Sequence, residues 1–284
     1  MLLTRELLQT INNIAIEAAA KILAVYRSPG VIEVNSKADQ SPVTEADMQA
    51  HRVIVDALVK LTPDIPVLSE ESADVPFTVR QRWQRYWLVD PLDGTKEFIS
   101  RNGEFTVNIA LVSGGKPVLG VVHVPVTGIS YLGLCEQHHL AWRADAGKEW
   151  QPIRVSMITA PELSANAVLR VVASRRHGEE AMERFLAALK ESYADIELLN
   201  MGSSLKICLI AEGRADVYPR LAPTSEWDTA AAHAVLLAAG GDILQADLER
   251  LSYNAKESLL NPAFFAVAAA GRQSLSVMGN AMRS

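Results

Sequence analysis

The sequence predicts a layered α/β fold, with an antiparallel sheet and helices in residues 1–150 and a mixed, partly parallel α/β half in residues 151–284. Three observations predict it. A stretch near the N-terminus carries apolar residues at helical spacing, four strand-like runs follow one another across short turns, and from Val168 onward strands and helices alternate. A chain of 284 residues is long enough for two closely packed halves that bury a substantial core with a cleft between them.

Taken in order, Leu7, Leu8, Ile11, Ile14, Ala18, Ile22 and Tyr26 recur at spacings of three and four, which predicts one amphipathic helix over residues 3–26, ended by Pro29-Gly30. A short strand is expected at 31–34, then a polar loop with Lys37, then a helix over 44–61. Residues 66–68 and 86–89 read as strands, and the aperiodic stretch 72–85 between them is expected to be a mobile surface excursion. Runs at 105–112, 118–124, 129–134 and 139–143 are punctuated by Gly114-Gly115 and Pro125, the pattern of an antiparallel sheet. Strands at 168–173, 196–199 and 215–219 then alternate with helices near 179–190, 203–211 and 227–239.

Composition narrows the function classes. No apolar run approaches the roughly 20 residues needed to span a bilayer, and the start, with Glu6 early and an amphipathic pattern behind it, lacks the outline of a signal peptide. No transmembrane segment and a cytoplasmic location are expected. The two cysteines, Cys135 and Cys208, sit in apolar stretches far apart, as buried reduced thiols do. A net charge of −6 argues against non-specific nucleic-acid binding, so an anionic ligand needs a local cationic pocket. His138-His139 has no acidic or cysteine partner at metal-binding spacing and reads as a surface turn.

Four acidic groups stand out. In Asp90-Pro91-Leu92-Asp93-Gly94-Thr95 an apolar strand delivers two aspartates into a tight turn, where both carboxylates and the Leu92 carbonyl can face a hard cation such as Mg²⁺. Gly94 and Thr95 can turn backbone N–H groups toward a phosphate. Glu70-Glu71 closes the preceding strand, Asp228 opens the Ala-rich helix, and Thr44-Glu45-Ala46-Asp47 has the outline of a capping box. Each also has a plain reading: a turn, solvated acids, a helix-capping aspartate.

Together, Thr44-Glu45-Ala46-Asp47, Ser69-Glu70-Glu71-Ser72, Asp90 to Thr95, and Trp227-Asp228 ahead of Ala239-Gly240-Gly241 resemble the inositol-monophosphatase superfamily over nearly the whole chain. The resemblance implies an αβαβα sugar-phosphatase fold and two or three Mg²⁺ ions held by Glu70, Asp90, the Leu92 carbonyl, Asp93 and Asp228. It implies a relay of Asp47 and Thr95 which, with Glu70, orients the attacking water. Four carboxylates within ~4 Å repel by about 4 kcal/mol per pair at an effective dielectric near 20, so such a site calls for cations. Lys96-Glu97-Phe98, Ser174-Arg175-Arg176-His177, Gly202-Ser203-Ser204-Leu205-Lys206 and the run from Ala215 to Arg220 are similar to the 3′(2′),5′-bisphosphate nucleotidase branch. That branch implies a nucleotide bisphosphate substrate contacted by Asp93, Gly94, Thr95, Ser174, Arg175, His177, Ser203, Lys206, Arg220 and Asp228, and removal of the 3′-phosphate of adenosine 3′,5′-bisphosphate during sulfur assimilation. It further implies activity on the sulfated nucleotide, inhibition by Li⁺, and Ca²⁺ binding without turnover. An inositol monophosphatase, a sugar bisphosphatase, and a silent nucleotide- or Mg²⁺-sensing protein remain alternatives. Monomer or homodimer, and peripheral association with the cytoplasmic face of a membrane, stay open.

Overall fold

A computed structural model of the chain describes residues 2–29, 35–36, 42–135, 140–158, 168–173, 179–270 and 272–283. The strand expected at 31–34, Lys37 and His138-His139 lie outside these residues. Helix α1 (Arg5–Tyr26) starts where the Thr4 hydroxyl accepts from the Leu7 N–H and buries one stripe through Leu8, Ile11, Ala15, Ala18 and Ile22. The short strands β1 (Asn35–Ser36) and β2 (Pro42–Val43) pair antiparallel and lead into α2 (Glu45–Leu61). These helices pack on each other and on one face of a seven-stranded sheet.

That sheet runs in sequence order through β3 (Val67–Ser69), β4 (Arg85–Asp93), β5 (Thr106–Ser113), β6 (Lys116–Val124), β7 (Ile129–Leu134), β8 (Leu140–Ala144) and β9 (Gln151–Pro152). Only β3 and β4 pair in parallel; the remaining ladders are antiparallel, as the tight turns predict. Alternation along β4 sends Trp87 and Val89 into the core under α1 and α2, and Tyr86 and Leu88 into the core on the opposite face. A glutamate-led 3₁₀ turn (Glu70–Ser72), the one-turn helix α3 (Phe77–Arg80) and the short α4 (Thr95–Ile99) flank the strand β4.

The second half places β10 (Met157–Ile158), β11 (Val168–Ala173), α5 (Glu179–Lys190), β12 (Asp195–Asn200), α6 (Leu205–Ala211), β13 (Val217–Arg220) and α7 (Glu226–Ala239) in that order. Beyond residue 239 the local pattern predicts no element, yet β14 (Asp242–Gln245), β15 (Phe264–Val267), β16 (Ala269–Ala270) and α8 (Arg272–Arg283) follow. A five-stranded mixed sheet has the order β12-β11-β13-β15-β14, parallel between β12, β11 and β13 and antiparallel thereafter. The layers are thus α1 and α2, the large sheet, α6 and α7, the small sheet, and α5 with α8.

Helix α7 is the inner layer, and nearly all of its residues are buried. It lies on β6 and β7 at Gly120 and Gly133, which are paired across the two strands. A Cβ at Gly120 would come 2.2 Å from the Ala231 carbonyl oxygen, and one at Gly133 would come 2.6 Å from the Val235 Cα. Glycine in the strands and alanine on the helix allow this close approach, which fixes how deeply the N-terminus of α7 reaches into the cleft.

The stretch 72–85 departs from expectation. Arg80 is only 2% exposed, and its guanidinium donates to the Asn254 Oδ1 and the Glu257 carbonyl, while the Asn254 side chain donates to the Arg80 carbonyl at 2.6 Å. The segment is tied to a partner 174 residues away, a contact that local periodicity does not register.

Candidate metal centre and adjoining cavity

The register between β4 and β5 slips inside the Asp-Pro-Leu-Asp turn: Asp90 lies opposite Asn108, whereas Asp93 lies opposite Thr106. Three residues on one strand therefore match two on the other, a β-bulge. Two aspartates three apart would face opposite sides of a regular strand; the extra residue brings Asp93 back to the α7 side, with Asp90. The Leu92 side chain turns the other way, into the core under α1 and α2. The Leu92 N–H donates to the Asp90 Oδ1 at 3.0 Å and tightens the turn. Asp93 Oδ2 accepts from the Ser204 N–H at 2.6 Å and, at longer range, from the Thr106 hydroxyl and the Asn108 amide.

Asp228 arrives from the first turn of α7. One of its carboxylate oxygens accepts from the Ser225 N–H at 2.8 Å, so it caps its helix and faces the cluster at once. Oxygens of Asp90, Asp93 and Asp228 all lie within 4.8 Å of one another. Burial pushes the Asp90 carboxyl well above the usual carboxylate range, and the charges of Glu70, Asp93 and Asp228 push it further; a hydrogen bond joins it to Glu70. Asp228 is raised likewise, by burial first and then by Asp93 and Glu70. A concentration of buried carboxylate oxygens with this mutual repulsion fits a hard divalent cation, which would reverse each of these costs.

At the edge of the cluster, Asp47 is the third residue of α2, and its Oδ2 accepts from both the N–H and the hydroxyl of Thr44. Its Oδ1 accepts from the Thr95 hydroxyl at 3.4 Å. The structure thus brings together Asp47 and Thr95, which are 48 residues apart. Burial raises the Asp47 carboxyl above its ordinary range despite these donors. Gly94, with φ of 94°, makes the left-handed turn that starts α4.

A cavity of about 160 Å³ opens beside the carboxylates, between Asp93, Gly94 and Asp228 on one side and Lys206, Tyr218 and Arg220 on the other. The Lys206 ammonium stands 5.3 Å from the centre of the Tyr218 ring, a cation–π contact. Burial pulls Lys206 down to about 8, partly offset by Asp93. Among the described residues, the Ser203 hydroxyl and the Arg220 Nε are buried with no hydrogen-bond partner, so polar capacity is left for a ligand. Ser203 also has a left-handed φ of 43°. Ser174, Arg175 and His177 lie outside the described residues. The sequence pattern does not single out Thr106, Asn108, Ser204 or Tyr218; the one cue is that Thr106 and Asn108 are polar residues inside an otherwise apolar strand.

The inositol monophosphatase family profile matches residues 3–275, and the chain belongs to that family. Within it, the chain is 49% identical over 259 residues to the 3′(2′),5′-bisphosphate nucleotidase CysQ of Escherichia coli K12, covering 91% of this chain and 98% of that protein. The CysQ of Salmonella typhimurium LT2 is 48% identical over 258 residues, with the same coverage. The solved structure of CysQ from Bacteroides thetaiotaomicron, a bacterial member of the inositol monophosphatase family, matches with a TM-score of 0.78 and 42% identity over 93% of this chain and 97% of that one. SuhB from Bartonella henselae shares the fold at a TM-score of 0.69 and 22% identity. The family, the branch and the layered fold expected from the motifs are borne out.

Proposed function

We propose that this chain is a Mg²⁺-dependent 3′(2′),5′-bisphosphate nucleotidase that converts adenosine 3′,5′-bisphosphate to AMP and phosphate. The observation that carries the reading is one continuous cleft, in which a buried acidic cluster adjoins a cavity lined by Lys206 and Arg220. The identity to CysQ proteins supports the same reaction. Glu70, Asp90, the Leu92 carbonyl, Asp93 and Asp228 would hold the metal. When bound, Mg²⁺ supplies positive charge to the phosphate oxygens, the attacking water and the leaving oxygen.

The protein's own groups do the rest. The Thr95 Oγ accepts a hydrogen bond from the attacking water and passes a proton toward the Asp47 Oδ1, whose raised proton affinity suits it to receive it. Glu70, which lines the same cleft as Thr95, helps to orient the water. Across the cavity Lys206 and Arg220 hold the second phosphate, one as a point charge and the other as a planar fork, and Ser203 donates its hydroxyl. This clamp favours a substrate with two separated phosphates over a monophosphate. It also accommodates the sulfated nucleotide, whose 3′-phosphate presents the same group to the cluster.

The test is phosphate release with Mg²⁺ from adenosine 3′,5′-bisphosphate and from inositol 1-phosphate, with and without Li⁺. Strong preference for the nucleotide, inhibited by Li⁺, is the expected result. Equal or reversed preference leaves the metal chemistry and sinks the substrate. No release from either substrate, with tight nucleotide binding, would favour a sensing role.

A further inference from the structure

The residue next to Ser203 faces the other way. Between β12 and α6 the chain passes through Met201-Gly202-Ser203-Ser204, anchored where the Gly202 N–H donates to the Glu104 carboxylate at 2.7 Å. Ser204 is 3% exposed and makes three polar links. Its N–H donates to the Asp93 Oδ2 at 2.6 Å. Its hydroxyl donates to the Asp228 carbonyl at 2.6 Å and accepts from the Asn108 amide at 2.9 Å. Asn108 lies directly opposite Asp90 in the β4–β5 ladder. One hydroxyl therefore joins the strand pair that carries Asp90 and Asp93 to the helical turn that carries Asp228.

We propose that Ser204 is a positioning residue of the metal centre: its hydroxyl sets the separation of Asp93 and Asp228, and so the affinity of the acidic cluster for a divalent cation. The inference rests on the assignment of those aspartates as metal ligands. Mg²⁺ demands near-ideal octahedral geometry, so a small drift of α7 against β4 weakens its binding before it weakens the fold. Groups that orient metal ligands from behind typically account for about 10–100-fold in metal affinity.

The experiment is calorimetric titration of Mg²⁺ into metal-free wild-type protein, Ser204→Ala and Ser204→Thr, with thermal unfolding of each in chelator. Ser204→Ala is expected to weaken Mg²⁺ binding by about tenfold, while Ser204→Thr, which keeps the hydroxyl, stays within about twofold of wild type. A residue that merely packs α6 would lower the melting temperature in chelator and leave Mg²⁺ affinity unchanged; that result overturns the proposal. Should Ser204→Ala fail to fold, Asn108→Ala removes the strand-side partner of the same hydroxyl, and unchanged Mg²⁺ affinity there overturns the proposal as well. No Mg²⁺ binding by wild-type protein would remove the ligand assignment itself, and this inference with it. Because the titration needs no turnover, a wrong substrate assignment does not affect its outcome.

Discussion

Asp47 and Asp228 each occupy the third position of a helix, and each accepts from the backbone N–H of its N-cap residue. The capping bond holds one carboxylate oxygen and restrains the other, so the helix end and the chemistry are built from the same side chain. Replacing Thr95 by Ala removes the proton path and leaves the cap of α2 intact. It is expected to lower kcat by about 10²–10⁴-fold with Mg²⁺ affinity unchanged, checked by kinetics beside calorimetry. Lys206→Ala and Arg220→Ala are expected to raise KM for the nucleotide by tenfold or more, on the order of 1.4 kcal/mol each, while the rate on inositol 1-phosphate is unaffected. Asp90 and Asp93 stood out in the sequence because Pro91 and Gly94 mark a turn after an apolar strand, whereas Asp47, Glu70 and Asp228 stood out as site residues only through the family resemblance. Asn108 and Ser204 did not stand out, because they act through hydrogen bonds between segments 96 residues apart, and the polarity of Asn108 in its strand does not say what it faces. Ser203, Lys206 and Arg220 stood out through the resemblance of their segments to the nucleotidase branch, and all three line one cavity.

The elements show a similar division. Helical periodicity located α1, the capping-box outline marked the start of α2, and turn chemistry located the antiparallel sheet, since all three depend on neighbours in sequence. The β-bulge in β4 depends on register with β5, so the pattern Asp-x-x-Asp indicated two ligands without indicating how a strand could turn both to one side. The strands after α7 also escaped notice: β14 and β15 are only four residues each, too short for period-two alternation to show. Helix α7 was legible as a helix, but its place as an inner layer depends on Gly120 and Gly133 beneath it. Gly120→Ala is expected to cost about 3 kcal/mol, read from urea denaturation, because the new methyl meets helix backbone instead of a flexible side chain. As the displaced helix carries Asp228, activity should fall in the same variant by more than its unfolded fraction accounts for.

For the molecule as a whole, the cleft trades stability for function. Asp90→Asn keeps an acceptor for the Leu92 N–H but removes one buried charge, so metal-free protein should melt at a higher temperature while turnover is lost. In the wild type, Mg²⁺ at a hundredfold excess over its Kd should add about 2.7 kcal/mol, and Asp90→Asn should lose most of that gain. A second group responds to acid in the opposite sense to these raised carboxyls. His123 is buried in β6, and burial pulls it from 6.5 down to about 4. The unfolded chain then takes up a proton that the folded one refuses. The contribution of neutral His123 to stability is fully present above about pH 6.5 and falls by up to about 3 kcal/mol as pH drops toward 4. Replacing His123 by Gln should flatten that slope in denaturation measured across the range. The sandwiched position of α7 has one more consequence, for biosynthesis. The large sheet is complete once β9 has left the ribosome, but the helix that covers its second face comes much later in the chain. A nascent chain therefore carries a bare apolar sheet face until residue 239 has emerged, an interval in which that face is open to association with other chains.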